Sequence, residues 1–131
     1  MGESYYVASK THHGGEWVEK ANRGHKINSS WIFRHDEEIE DWSELWKKCI
    51  EEVSNASCLV IIKREGDELK GAWVELGVAL AHGKRVFACD IDDYSIHKHT
   101  LIENFRFEED AFQAAENWVR MEIVDSTSKC V

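Results

Sequence analysis

The sequence has no C-x-x-C pair, no long apolar run and no cluster of basic residues, and each absence narrows what the chain does. Its four cysteines, Cys49, Cys58, Cys89 and Cys130, stand far apart with no secretory apolar segment at the start, so reduced thiols in a cytoplasmic protein are expected. No apolar stretch approaches the roughly 20 residues of a membrane helix, so no contact with a bilayer is expected. The 16 basic residues face 25 acidic ones for a formal charge of -9, which disfavours a nucleic-acid polymer as partner. A mononucleotide stays open, because backbone N–H groups at a helix start hold one phosphate without a basic patch. With no repeat, low-complexity tract or linker, the 131 residues are expected to form one domain over 1–131. Its core covers about 4–121, with a frayed tail over 125–131.

The pattern alternates strand and helix. Ser4 to Ser9 is aromatic and β-branched, followed by a polar loop and a helix over Glu16 to Asn22. Lys26 to Phe33 reads as a second strand. Trp42, Leu45, Trp46, Cys49, Val53 and Ala56 carry the spacing of an amphipathic helix. Cys58 to Ile62 is a short continuous apolar run, suited to a parallel strand covered on both faces. A helix follows from Gly71 to His82, then a strand over Arg85 to Cys89, a short strand over Phe105 to Phe107, and a last helix from Glu109 to Met121. This order predicts an α/β fold, a doubly wound, mostly parallel five-stranded sheet with helices on both faces. Ligands of such sheets sit beyond the carboxyl ends of the strands, so the loops after Ser9, Ile62 and Cys89 are the expected walls of a site.

One residue conflicts with its surroundings. The helix G-A-W-V-E-L-G-V-A-L-A-H-G (Gly71 to Gly83) is apolar on nearly every face, yet it carries Glu75 in its first turns. Burying an unpaired carboxylate is costly, so Glu75 is paired from a distance, protonated or lining a cavity, unless it lies at the rim or bonds a backbone amide. Gly77 in mid-helix costs about 1 kcal/mol against Ala, which suggests close approach of another backbone or a ligand.

The stretch K-G-A-W-V-E-L-G-V-A-L-A-H-G-K-R-V-F (Lys70 to Phe87) resembles the signature of the nucleoside 2-deoxyribosyltransferase family, where a small-residue turn leads to E-L-G, A-L-A, G-K and a strand. Tyr6-Val7-Ala8-Ser9, Gly14-Gly15 and Ser30-Trp31-Ile32 are similar to the family's first strand, first turn and second strand, and the resemblance covers about residues 4–119. It implies a flavodoxin-like sheet and a covalent mechanism in which Glu75 attacks the anomeric carbon of a nucleoside. It further implies Tyr6 beside the nucleophile, pockets completed by a neighbouring subunit in a homodimer or larger homo-oligomer, and no cofactor or metal. The family's acidic positions on the second helix and before the third strand are Cys49 and Ser57 here, and a third has slipped, with Asp67 and Glu68 nearby.

The substrate-binding residues expected from these matches are Ala8, Ser9, Gly14, Gly15, Cys49, Gly71 and Trp73. The loop Ser9 to Gly15 would cradle a 5′-phosphate. For Tyr6 a core position on the first strand is an equal alternative. Candidates for the acid that protonates a departing base are Asp67, Asp90, Asp92, His97 and His99. His97 and His99, like His12 and His13, lack a third metal ligand in sequence and read as solvated imidazoles. Among six tryptophans, Trp31, Trp42, Trp46 and Trp73 are candidates for a wall against a nucleobase. Amphipathic placement assigns Trp42, Trp46 and Trp118 to the core and leaves Trp73, two residues from Glu75, as the one poised to touch a ligand. The expected function is cleavage or exchange of the N-glycosidic bond of a nucleoside or nucleoside 5′-monophosphate. The rivals are a nucleotide-binding module without activity and an interaction protein presenting exposed tryptophans.

Overall fold

The computed structural model describes residues 3–129, with side chains as far as 122. Four parallel strands, β1 (Tyr5–Ala8), β2 (Cys58–Ile62), β3 (Arg85–Cys89) and β4 (Ile102–Phe105), pair in the order β1-β2-β3-β4. Every residue of β1 and β2 is buried, which is why these strands read as continuous apolar runs: helices cover both faces and leave no wet side to select for alternation. On one face lie α1 (Gly14–Asn22) and α4 (Glu108–Lys129), joined by ring contact of Trp17 with Phe112 and the Lys20–Glu109 ion pair. On the other lie α2 (Trp42–Asn55) and α3 (Gly71–Ala81), packed together.

Local chemistry sets the boundaries. Asp41 caps α2 by accepting the N–H of Glu44 at 3.1 Å. Gly83, at φ 69, ends α3 in the left-handed conformation that lets Lys84 N–H reach back to Ala79 C=O at 2.9 Å. On α4 the residues Ala111, Phe112, Ala115 and Val119 form the buried stripe.

The expected second strand over Lys26 to Phe33 is replaced. The segment meets β1 through one parallel bridge, Tyr5 with Ile27, and then turns into a 3-10 helix over Ser30–Arg34. Side chains take over the ladder: Ser29 Oγ accepts the Val7 N–H at 3.0 Å, and Trp31 Nε1 donates to the Val7 carbonyl at 3.0 Å. With those backbone groups satisfied, the chain leaves the sheet, and four strands replace the expected five among the described residues. Counting the Ile27 bridge as the outer position, the order is consistent with a flavodoxin-like arrangement.

Three smaller shifts follow. The last strand ends at Phe105 instead of beginning there, α1 starts at Gly14, and β3 reaches β4 through a 3-10 turn, Ser95–Lys98, without an α-helix. In place of the expected frayed tail from residue 125, α4 continues to Lys129, and residues 130 and 131 lie outside the described set. No helix among the described residues is long and apolar enough to cross a membrane. Cys49, Cys58 and Cys89 are unpaired, and Cys130 lies outside the described residues.

Candidate active site

Glu75 lies on the second turn of α3, 6% exposed, with its carboxyl group turned to β1. Its carboxylate Oε2 accepts a hydrogen bond from the hydroxyl of Tyr6 on β1. Tyr6 is fully buried, and its hydroxyl is also hydrogen-bonded to Cys49 on α2. Burial pushes the Glu75 carboxyl up to about 8; the Tyr6 hydroxyl works against this by favouring the anion, and Glu52 adds a repulsion. Burial is also the leading cause that raises the Tyr6 hydroxyl, joined by the negative charge of Glu75. The Cys49 thiol is pushed up to about 11, again first by burial, so it stays protonated. The result is a buried carboxyl group bonded by one neutral hydroxyl, with Cys49 behind that hydroxyl.

Glu75 opens into a cavity of about 140 Å³, close to the roughly 150 Å³ space that takes up a benzene ring. Ser9, Lys10 and Thr11 after β1 form one wall, and Lys70, Gly71 and Ala72 at the start of α3 form another. Trp31, Trp42, Leu45, Trp46 and Cys49 close the rest with apolar surface. A Cβ on Gly71 would stand 3.0 Å from the Trp46 ring, so the missing side chain lets that indole lie against the helix start. The loops after β1 and β2 supply walls as expected, whereas nothing from the loop after Cys89 does.

The structure sorts the candidate residues. Glu75, Ser9, Gly71 and Cys49 line the cavity, and Tyr6 stands directly behind Glu75. Ala8 is buried at the end of β1. Gly14 and Gly15 lie away from the lining, and the need for glycine there has another cause: a Cβ on Gly14 would stand 2.4 Å from the Cβ of His35. Trp73 also lies off the lining and packs on Tyr94 with ring centroids 4.7 Å apart. Trp31 lines the cavity, and so do Trp42 and Trp46, expected in the core; Trp42 is 60% exposed. As the first residue of α2, just after its cap, Trp42 is turned outward where no neighbouring element covers it.

None of the acid candidates lines the cavity. Asp90 and Asp92 are exposed, His97 Nδ1 donates to the Tyr94 carbonyl at 2.7 Å, and His99 Nδ1 accepts the Leu101 N–H at 3.0 Å. Asp67 pairs with His13 at 2.9 Å. Burial raises the Asp67 carboxyl, but the Arg64 N–H and His13 outweigh it and hold the group below the usual range. Ser57 is buried at the entry to β2. Gly77 has nothing within 4 Å of a would-be Cβ, so the close approach expected there does not exist. Val74, Gly77 and Ala81 instead give α3 an outward face. Lys10, Thr11, Lys70 and Ala72 were not singled out by sequence; the two lysines flank the mouth in a chain of strong negative charge.

No protein-family model matches the sequence, and no curated protein matches it. Among solved structures, the CMP N-glycosidase BcmB of Clostridium botulinum matches with a TM-score of 0.54 at 12% identity, over 88% of this chain and 98% of that one. The chain shares its parallel α/β fold with that N-glycosidase.

Proposed function

We propose that the protein cleaves or exchanges the N-glycosidic bond of a nucleoside or nucleoside 5′-monophosphate, with Glu75 as nucleophile. The observation that carries this reading is the isolated carboxylate of Glu75 in the wall of a ring-sized apolar cavity, hydrogen-bonded by Tyr6. Ionised Glu75 attacks C1′ with a carboxylate oxygen while the C1′–N bond breaks and its electron pair leaves with the base. The base takes up a proton from water at the open mouth. The sugar is held as an ester until water or a second base attacks C1′ and returns the carboxylate.

Tyr6 stabilises the ionised nucleophile, Trp31, Trp42 and Trp46 present faces for a flat ring, and Lys10 and Lys70 attract the phosphate of a monophosphate. No cofactor enters this chemistry. The fold is assigned as flavodoxin-like, with residues 1–131 as one domain. A homodimer or larger homo-oligomer is assigned because Trp42, which lines the cavity, and Phe33 expose large apolar surface.

A second reading, a binding module without activity, is favoured by one specific observation: Cys49 stands in the pocket where the family carries an acid, and none of the aspartates or histidines named above lines the cavity. The two separate on incubation with ribo- and deoxyribonucleosides and their 5′-monophosphates, with and without an acceptor base. Release of free base by the wild type and not by Glu75→Ala supports the enzyme, and acceptor dependence marks a transferase. Thermal stabilisation by one ligand with no release supports the binding module.

A further inference from the structure

Outside the cavity, the loops after β1 and β2 bring together three side chains that are remote in sequence. His12 and His13 sit in the 3-10 turn Thr11–His13, and Asp67 lies beyond β2. One donor atom from each lies within 4.8 Å of the other two. His13 Nε2 is 2.9 Å from Asp67 Oδ2, and His12 Nε2 is 3.8 Å from Asp67 Oδ1. Ligands about 2.1 Å from a tetrahedral ion stand roughly 3.4 Å from each other, so small side-chain rotations suffice. We infer that His12, His13 and Asp67 form a binding site for a zinc-type divalent transition-metal ion.

The surroundings fit an ion in two respects. Asp67 is fixed: its side chain is 7% exposed, Oδ2 accepts the Arg64 N–H at 3.0 Å, and its own N–H donates to the Arg64 carbonyl at 2.9 Å. The nearby charge is also negative. Arg64 is spanned by Glu108, through Nε at 2.7 Å and Nη2 at 2.8 Å, and by Glu16, through Nη2 at 2.9 Å. Two carboxylates thus share the one guanidinium, and Asp67 adds a third negative charge bonded to the Arg64 backbone. Two imidazoles select a borderline metal such as zinc or cobalt over magnesium or calcium, which take oxygen ligands.

Binding requires a tautomer change at His13. Arg64 Nη1 now lies 3.3 Å from Nδ1, and Nε2 faces Asp67. With the proton moved to Nδ1, Arg64 Nη1 must withdraw and Glu16 Oε2, 4.0 Å away, must close in to accept it, while Nε2 offers its lone pair to the ion. A carboxylate supporting the far nitrogen is the usual second partner of a metal-bound histidine. Three protein ligands leave at least one coordination position for water or an anionic oxygen. Thr11, the residue before His12, lines the cavity, so the ion would sit beside its wall.

The test is independent of any glycosidic activity. Chelator-treated wild-type protein is titrated with cobalt(II), followed by its visible bands, and the cobalt is then displaced with zinc. One equivalent per chain is expected, with zinc raising the melting temperature. The side chain of His12 is 64% exposed, so His12→Ala leaves the metal-free melting temperature unchanged. It weakens cobalt binding by at least the roughly tenfold that loss of even a supporting group costs. His99→Ala serves as control and leaves binding unchanged. Absence of a saturable one-equivalent site, or a site that keeps its affinity in His12→Ala, overturns the assignment.

Discussion

At the scale of single residues, the account turns on the cost of keeping Glu75 charged. Attack on C1′ needs the carboxylate, and burial places its pKa at about 8. For a turnover assay this predicts kcat/KM that rises about tenfold per pH unit below that value and levels off above it. Tyr6→Phe removes a hydrogen bond that favours the anion, so the rising limb moves to higher pH and the rate near neutrality falls roughly tenfold, the equivalent of about one pKa unit. A purely structural role for Tyr6 would lower activity without moving the limb.

The same burial makes a prediction for stability. The folded protein binds the Glu75 proton more tightly than the unfolded chain, whose carboxyl keeps the ordinary value of 4.5. Between 4.5 and about 8 the folded state is therefore progressively destabilised as pH rises. Glu75→Gln keeps the shape without the charge. It should exceed the wild type in denaturant unfolding by on the order of 1–3 kcal/mol near pH 9, with the gap closing towards pH 5. Equal stability at both pH values would show that the carboxyl is not strained by burial.

Glu75 was legible in the sequence because a single carboxylate in an otherwise apolar helix has few comfortable places. The tryptophans were not. Spacing along a helix tells which residues share a face, but not which neighbour covers that face, so Trp42 and Trp46 read as core while Trp73 read as the ligand wall. Packing of Trp73 on Tyr94, across about 20 residues of sequence, has no local signature.

At the scale of elements, two glycines predict opposite results. Gly77 faces open space, so Gly77→Ala should stabilise the protein by up to about 1 kcal/mol in chemical denaturation. Gly14→Ala drives a Cβ into His35 and should destabilise it by about 1–3 kcal/mol. The first strand, the helix over Trp42–Asn55 and the strands at Cys58 and Arg85 were legible because their periods are strong and local. The segment over Lys26 to Phe33 was not. It has the composition of a strand, but Ser29 and Trp31 satisfy Val7 through their side chains, a substitution that composition does not reveal.

At the scale of the whole molecule, the alternation of strand and helix made the parallel α/β class readable, while the order of strands and the partners of each loop come only from the assembled sheet. Arg64 illustrates this: just past β2, it ties α1 through Glu16 to α4 through Glu108. His12, His13 and Asp67 meet for the same reason, since the loops after neighbouring parallel strands emerge on one edge. Exposed Phe33 and Trp42 predict association: size-exclusion chromatography at micromolar concentration should give a dimer or larger, and Phe33→Asp should shift it towards monomer. A wild-type monomer under those conditions would contradict the assignment.

The central claim is that Glu75 carries a sugar between two displacements, and acid-quenched mass spectrometry tests it most directly. Wild-type protein is mixed with the nucleoside or monophosphate that releases base, quenched during turnover and digested. The account predicts a pentosyl or phosphopentosyl mass added at Glu75 and absent from Glu75→Gln. Base release by the wild type with no adduct at Glu75, or undiminished release by Glu75→Gln, would contradict it.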